Sequence, residues 1–330
     1  MSAADATKSG ERRTKARAKK KSGPKRERAL VTGASGALGR LLCRQLHRDY
    51  DVIAVDRRPF PDRPKDVEHH AIDLRRKSAL TLLKRKRPSV IIHLGVMHNP
   101  RKEIRHEATH YNLDVMNQVL RLAEASKARK LVFLSTANLY GPSATSSGFL
   151  TEEAPLLGAG KSPEVRDLIS LDMMAQSFFW KRPEIESVIL RPVHIVGPHV
   201  RNAPSNYLRR RNVPTILGFD PMIQIVHELD VVEALMLALK PGVRGVFNVV
   251  GPGQAPLSRL IEARGGTQMP VPGPLLKGVL DRAFRLRLST FPPGELDHLR
   301  YSCLVDGGRA QHDLGFRPKY GLAETVRDVD

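Results

Sequence analysis

An α/β fold, with a doubly wound parallel sheet and a smaller C-terminal subdomain, is what this 330-residue sequence predicts. Three observations predict it. Short apolar runs rich in β-branched residues alternate with longer amphipathic stretches, and the first run leads through a glycine-spaced turn into a helix. Beyond Gly197 this alternation gives way to proline- and glycine-rich sequence, which reads as a partly irregular subdomain over 198–330.

Taken in order, residues 1–28 form a basic tail without hydrophobic periodicity, expected to be disordered. They hold 11 basic and 3 acidic side chains, a surplus of 8, and the remaining 302 residues carry the other 12 of the +20 formal charge. The tail reads as a solubilising extension. Weak contact with nucleic acid or an anionic membrane through counterion release is possible but less favoured, because no aromatic residue is present for readout. Residues 29–197 then form the main domain. The runs RALVTGAS, YDVIAVDR, SVIIHLGV, RKLVFLST and SVILRPVHIV read as strands buried on both faces, and helical patterns fall at 37–48, 78–86, 101–126 and 165–181. Some segments of 198–330 are expected to return to this main domain. A further amphipathic helix is read from Pro274 to Leu288, where Leu276, Leu280, Phe284 and Leu288 recur every fourth position beside Lys277, Arg282, Arg285 and Arg287. Such a helix is more often a packing face than a membrane contact.

The most informative motif is Val31-Thr32-Gly33-Ala34-Ser35-Gly36-Ala37-Leu38-Gly39. Gly33 suits a tight turn, Gly36 lets backbone amides approach a pyrophosphate, and Gly39 lets the helix pack on the sheet. Ser35, Ala37 and Leu38 complete the cradle at a helix N-terminus whose partial positive charge favours phosphate. Asp56 closes the second strand 23 positions after Gly33, where a carboxylate accepts hydrogen bonds from an adenosine ribose. This favours NAD over NADP, although Arg57 and Arg58 offer guanidinium groups to a 2′-phosphate.

These residues resemble the extended short-chain dehydrogenase/reductase family, in its NAD-dependent epimerase/dehydratase group, whose fold is of the Rossmann type. The resemblance continues through Asp73-Leu74 at the adenine, Leu94-Gly95-Val96 beside the cofactor, Asn112 opening a helix, and Ser135-Thr136-Ala137-Asn138-Leu139-Tyr140-Gly141 at a strand end. It runs on through Pro192-Val193 beside the nicotinamide, then His227 to Val231, Phe247 to Val249 and Leu314 to Pro318. It implies bound NAD, a nucleotide-sugar substrate and a possible homodimer.

The chain looks like the members of a UDP-glucose 4-epimerase-like subgroup with an incomplete active-site tetrad. Thr136 matches the Ser/Thr that binds the reacting oxygen. The Tyr-x-x-x-Lys relay is missing: four positions after Tyr50, Tyr111, Tyr140, Tyr207, Tyr301 and Tyr320 stand Ala54, Val115, Ala144, Arg211, Val305 and Glu324. Aligning on Ser170 puts Asp167 at the tyrosine position and Leu171 at the lysine position, and a shifted register offers Ser162 and Arg166. Asp167 is the nearest replacement base, or alternatively a plain helix-start aspartate. On the substrate side, Arg201, Asn202, Asn206 and Arg209 have the donors that grip a diphosphate.

Composition excludes other classes. With 41 % hydrophobic residues the chain is not disordered throughout, and no apolar run approaches the ~18 residues of a membrane span. Cys43 and Cys303 lie too far apart in sequence to suggest a disulfide framework or thiolate site, and the histidines make no metal-binding pattern, so no metal and a cytoplasmic location are expected. Three functional readings follow: an epimerase/dehydratase with an altered proton relay, a non-catalytic NAD(P)-binding sensor or scaffold, and a dehydrogenase of a sterol or lipid alcohol.

Overall fold

Residue alternation along the central strands sorts side chains to two faces of one sheet, each covered by helices. The computed structural model describes residues 26–97, 105–144, 148–160, 163–286 and 293–329. Its first strand, β1 (Arg28–Thr32), sends Ala29 and Val31 into one apolar cluster and Leu30 into another. Strands β2 (Asp51–Asp56) and β4 (Val90–His93) divide in the same way, Ala54 and Ile92 against Ile53 and Ile91. Both faces are therefore dry, as continuous apolar runs require.

Helix α1 (Ala37–Leu46) seals one face through Leu42, Cys43 and Leu46. On the other lie α2 (Lys77–Lys86) and α3 (Arg105–Ser126), packed through Leu83, Val115, Val119 and Leu122. Two further strands, β5 (Lys130–Leu134) and β6 (Glu186–Pro192), are joined by α4 (Pro163–Lys181). The short strand β3 (Glu68–Ala71) forms one edge, and β11 (Gly245–Val249) returns from the later half of the chain to form the other. The order β3-β2-β1-β4-β5-β6-β11 is parallel throughout. Chain direction across the sheet reverses between β1 and β4, which opens a crevice at their C-terminal ends.

The remaining elements are β7 (His194–Val196), α5 (Ala203–Leu208), β8 (Asn212–Ile216), β9 (Met222–Ile223), β10 (Ile225–His227), α6 (Glu228–Leu237), β12 (Ala255–Pro256), α7 (Leu257–Ala263), β13 (Thr267–Val271), α8 (Gly273–Arg285) and α9 (Leu322–Arg327). Strands pair here only two by two, β7 with β10, β8 with β13 and β9 with β12. They enclose a second core of Val213, Ile216, Leu257, Leu260, Leu276, Leu280 and Val326. Helix α6 does not belong to this core: Val231, Val232 and Leu235 close the α1 face of the main sheet.

Two boundaries differ from the sequence reading. Residues 26 and 27, read as part of the tail, contact the main domain: Arg26 donates to the His47 carbonyl at 3.2 Å and Glu27 pairs with Arg129 at 2.5 Å. Residues 1–25 of the expected tail lie outside the described residues, as do 101–104 of the third helical pattern and 287–288 of the last. Asn112 does not open a helix, since α3 begins seven positions earlier. Among the described residues no helix is long and apolar enough to cross a membrane, no group of histidine, cysteine and carboxylate could hold a metal, and both cysteines are free.

Candidate functional site

The crevice between β1 and β4 is shaped by backbone that tolerates no side chains. Gly33 has φ +72, and a Cβ there would lie 2.7 Å from the Gly95 nitrogen and 2.8 Å from the Leu94 carbonyl carbon. A Cβ on Gly39 would lie 2.3 Å from the Gly33 oxygen, so α1 could not approach β1 with any larger residue. Gly36 caps α1 without a side-chain hydrogen bond, which leaves the first amides of the helix, from Ala37 through Gly39, for an external acceptor. These features fit a dinucleotide pyrophosphate.

Asp56 stands at the end of β2 beside this turn. Its carboxylate accepts the Ser35 N–H at 3.1 Å and the Arg58 N–H at 2.9 Å, and pairs with the Arg58 guanidinium at 3.3 Å. Burial opposes its ionisation, but the Arg58 contacts outweigh burial and hold it below the usual aspartate range. The Arg58 arm is two-thirds exposed and reaches within 3.8 Å of the Cβ position of Gly36, over the turn. Arg57, by contrast, stacks on Tyr111, 4.3 Å from the ring centroid, with Arg75 on the same ring at 5.1 Å and Asp73 paired to Arg75 at 2.6 Å. Leu74 is buried behind them. Asn112, read from sequence as a cofactor contact, ties down the segment after β4: it accepts the Met97 N–H at 2.9 Å and donates to the Met97 carbonyl at 3.1 Å. Leu94, Gly95 and Val96 form the strip it anchors, and Val96 also packs against the α4 side of the core.

Beyond β5, Ser135 and Thr136 part company. Ser135 is buried and donates to Asp172 at 2.6 Å. Thr136 is half-buried, and its Oγ1 accepts the Asn138 N–H at 3.2 Å as the cap of a one-turn helix over Ala137–Leu139. Its own hydroxyl hydrogen remains for another acceptor. Asp172 on α4 and Arg191 on β6, neither singled out from sequence, form a fully buried bidentate pair at 2.7 and 3.0 Å. Arg191 also donates to the Tyr140 hydroxyl at 2.9 Å and the Glu152 carbonyl at 3.1 Å, while Tyr140 donates to Asn248 at 2.8 Å. Tyr140 is thus built into the core, and burial pushes its phenol above the usual range.

The neighbouring cleft is lined by Ala137, Asn138, Val193, His194, Met222, Ile223, Gln224, His298 and Cys303. No tyrosine lines it. Pro192 is buried just behind Val193 at the end of β6. The rings of His194 and His298 meet edge to face at 5.3 Å. Burial pushes His194 down to about 4; burial, and then the charge on His194, push His298 down to about 3, so both are neutral near pH 7. Burial raises the Cys303 thiol to about 11, which keeps it protonated. The distant positions of His194 and His298 gave sequence reading no signal that they would meet.

Asp167 sits half-exposed on α4, five residues before Asp172. Leu171, aligned with the lysine, is sealed against Met116, Phe133 and Ile189. Arg166 is exposed, and Ser162 lies outside the described residues. On the substrate side, two of the residues already serve the loop. Asn202 caps α5 by accepting the Ser205 N–H and donates to the Ile195 carbonyl at 2.7 Å. Arg209 donates to the carbonyls of Val200 and Gly197 at 3.0 and 2.9 Å. Both hold the loop together. Asn206 touches Arg209 and the Arg201 carbonyl, and of the four only Arg201 is exposed, with no described contact to its guanidinium.

Comparison with known proteins gives the family and the fold. The model of the NAD dependent epimerase/dehydratase family matches residues 29–251. An uncharacterized protein of Mycobacterium tuberculosis, Rv0501, is 30 % identical over 313 residues, covering 91 % of this chain and 82 % of its own length. Among solved structures, a UDP-glucose-4-epimerase from Stenotrophomonas maltophila with bound NAD and formylated UDP-arabinopyranose superposes with a TM-score of 0.72 at 17 % identity, covering 92 % of this chain and 96 % of that one. A UDP-glucose 4-epimerase from Thermus thermophilus in complex with NAD has a TM-score of 0.70 at 21 % identity, covering 92 % and 97 %.

Proposed function

Because the chain belongs to the NAD dependent epimerase/dehydratase family, we propose that it holds NAD in the crevice between β1 and β4 and acts on a nucleotide-activated sugar in the adjoining cleft. The observation that carries this reading is the uncapped glycine turn facing Asp56: three positions where a side chain is excluded or the helix amides are left open, beside one carboxylate placed for a ribose. Gly33, Ser35, Gly36, Ala37, Leu38 and Gly39 would receive the pyrophosphate, Asp56 the adenosine ribose, Asp73 and Leu74 the adenine, and Val193 would face the nicotinamide. Bound NAD supplies a hydride acceptor.

The protein's own part starts at Thr136. With its oxygen already accepting from Asn138, the hydroxyl can donate to a substrate oxygen and fix its position. Among the described residues no phenol and ammonium stand ready to move the proton, and a positioned general base is typically worth ~10² to 10⁴ in rate. Asp167 is the carboxylate on the matching helix. The neutral His194 and His298 offer hydrogen bonds to an uncharged polyhydroxylated ring. Arg201, exposed seven positions after His194, is a cation available to a diphosphate.

Titration calorimetry with NAD and NADP tests the reading directly: NAD binds, and NADP binds at least tenfold more weakly. Absence of binding by either removes it. Incubation with UDP- and dTDP-hexoses then separates turnover from a second reading, a nucleotide-holding sensor or scaffold, which is favoured by the core position of Tyr140 and Leu171. Isomerisation at ~1 s⁻¹ or faster, an ordinary enzymatic rate, would exclude that second reading.

A further inference from the structure

Helix α8 carries two apolar faces, and only one of them is used by the fold. Leu276 and Leu280 are buried in the second core. Leu275, Val279 and Leu286, at 59, 55 and 69 % exposure, project to solvent. Leu275, Val279 and Leu286 are separated by four and seven positions, so at 3.6 residues per turn they fall within about 40° of one another and make a single outward stripe. Arg282 is exposed in the same stripe. The stripe continues past the helix: Leu217 donates its N–H to the Val271 carbonyl at 3.0 Å, two residues before α8, and Leu217, Phe219 and Met269 are exposed as well. Arg300 stands at the start of the helix, near Gly273, with its guanidinium 5.8 Å from the Phe219 ring centroid.

We infer that this face of α8, Leu275, Val279 and Leu286 with Arg282 among them, docks on an anionic phospholipid bilayer. Charge selects this occupant. Between Arg264 and Arg287 the chain carries Arg264, Lys277, Arg282, Arg285 and Arg287 against Asp281 alone. A second copy laid on this face would bring the same cations against themselves. A bilayer surface offers an apolar layer for the leucines beneath a plane of negative headgroups for the arginines, and it needs no groove. Exposed side chains of β13, and Leu217 just after β8, extend the apolar surface beyond the helix.

The full chain should co-sediment with vesicles of phosphatidylcholine and phosphatidylglycerol at 7:3 and not with pure phosphatidylcholine vesicles. The triple variant Leu275→Ser, Val279→Ser, Leu286→Ser should partition at least tenfold more weakly, with unchanged NAD binding and thermal midpoint as checks on folding. Unchanged partition would overturn the proposal and assign binding to the basic N-terminal segment. For a measurement that needs no variant, hydrogen exchange of the wild-type chain with the anionic vesicles should slow at residues 273–286. Slowing confined to other segments, or no sedimentation with either vesicle, overturns it too. So would sedimentation velocity showing self-association that the triple variant abolishes, since the face would then meet another copy. None of these readouts depends on turnover, so they stand or fall apart from the enzymatic reading.

Discussion

Replacing Asp172 by Ala strikes the buried network that ties α4 to the ends of β5 and β6. The change deletes the acceptors of four hydrogen bonds, from Ser135 at 2.6 Å, Gln176 at 2.7 Å and the Arg191 guanidinium at 2.7 and 3.0 Å. Arg191 keeps only the Tyr140 hydroxyl and the Glu152 carbonyl, neither of them charged, while remaining 1 % exposed. An uncompensated buried cation of this kind costs about 3–5 kcal/mol. For a chain of this size that lowers the thermal midpoint by on the order of 10 °C. Asp172→Asn should also destabilise, because its amide N–H₂ would face donors and the guanidinium would stay unbalanced. The double variant Asp172→Leu, Arg191→Met removes both charges and should recover much of the loss, giving a coupling of about 2–3 kcal/mol. Urea unfolding followed by circular dichroism measures these proteins together with the single variants Asp172→Leu and Arg191→Met that close the cycle. A loss under ~1 kcal/mol for Asp172→Ala, or no coupling in the cycle, would show that the pair is not what holds β5 and β6 to α4. Because Ser135 lies next to Thr136, the same variants should weaken ligand binding even at temperatures where they remain folded.

Gly39→Val would press its side chain on the Gly33 oxygen and displace α1, so NAD binding by calorimetry should fall at least 100-fold or disappear. Asp56→Ser removes the ribose acceptor and frees Arg58, so NAD affinity should drop about tenfold, the scale of one charge-assisted hydrogen bond, while NADP affinity holds or rises. His93, buried beside Thr32 with a shared hydrogen bond at 2.6 Å, is pushed down to about 4 by burial. The unfolded chain binds that proton near pH 6.5, so the contribution of a neutral His93 is present above pH 6.5 and is lost as pH falls towards 4, by about 3 kcal/mol in full. Urea midpoints at pH 7, 5 and 4 should decline less steeply in His93→Gln than in the wild type. Asn112→Ala strands the Met97 N–H and carbonyl and should cost about 1–3 kcal/mol in the same assay.

Backbone requirements proved far more legible in the sequence than side-chain roles. The five long apolar runs became β1, β2, β4, β5 and β6 because a strand buried on both faces must be apolar at every position. Strand β3, Glu68-His69-His70-Ala71, lies at the sheet edge with polar residues at three of its four positions, so it carried no such pattern. The glycine turn was readable for a related reason: what Gly33 and Gly39 must satisfy is set by atoms within their own βα unit and the next strand. Asn202 and Arg209 were not, because an amide or a guanidinium serves a helix cap or a loop carbonyl as readily as a phosphate, and the choice depends on how the loop between β7 and α5 folds back on itself. Asp172 and Arg191 lie 19 positions apart and meet only through the packing of α4 on β6.

The same distinction bears on the missing proton relay. Tyr140 stands in the strand-end motif that most resembles the family, yet its hydroxyl donates to Asn248 and accepts from Arg191, which leaves it nothing to exchange with a substrate. Tyr207 is likewise committed to the Pro214 carbonyl. His194 and His298 do face the cleft, but burial makes each a weaker base than an ordinary histidine, so they are better suited to orienting a ligand than to taking its proton. If Asp167 takes the proton instead, Asp167→Asn should lower kcat with little change in KM, whereas His194→Ala should raise KM with kcat less affected. The opposite split would place the proton transfer on the imidazole and show that a bound substrate restores its basicity.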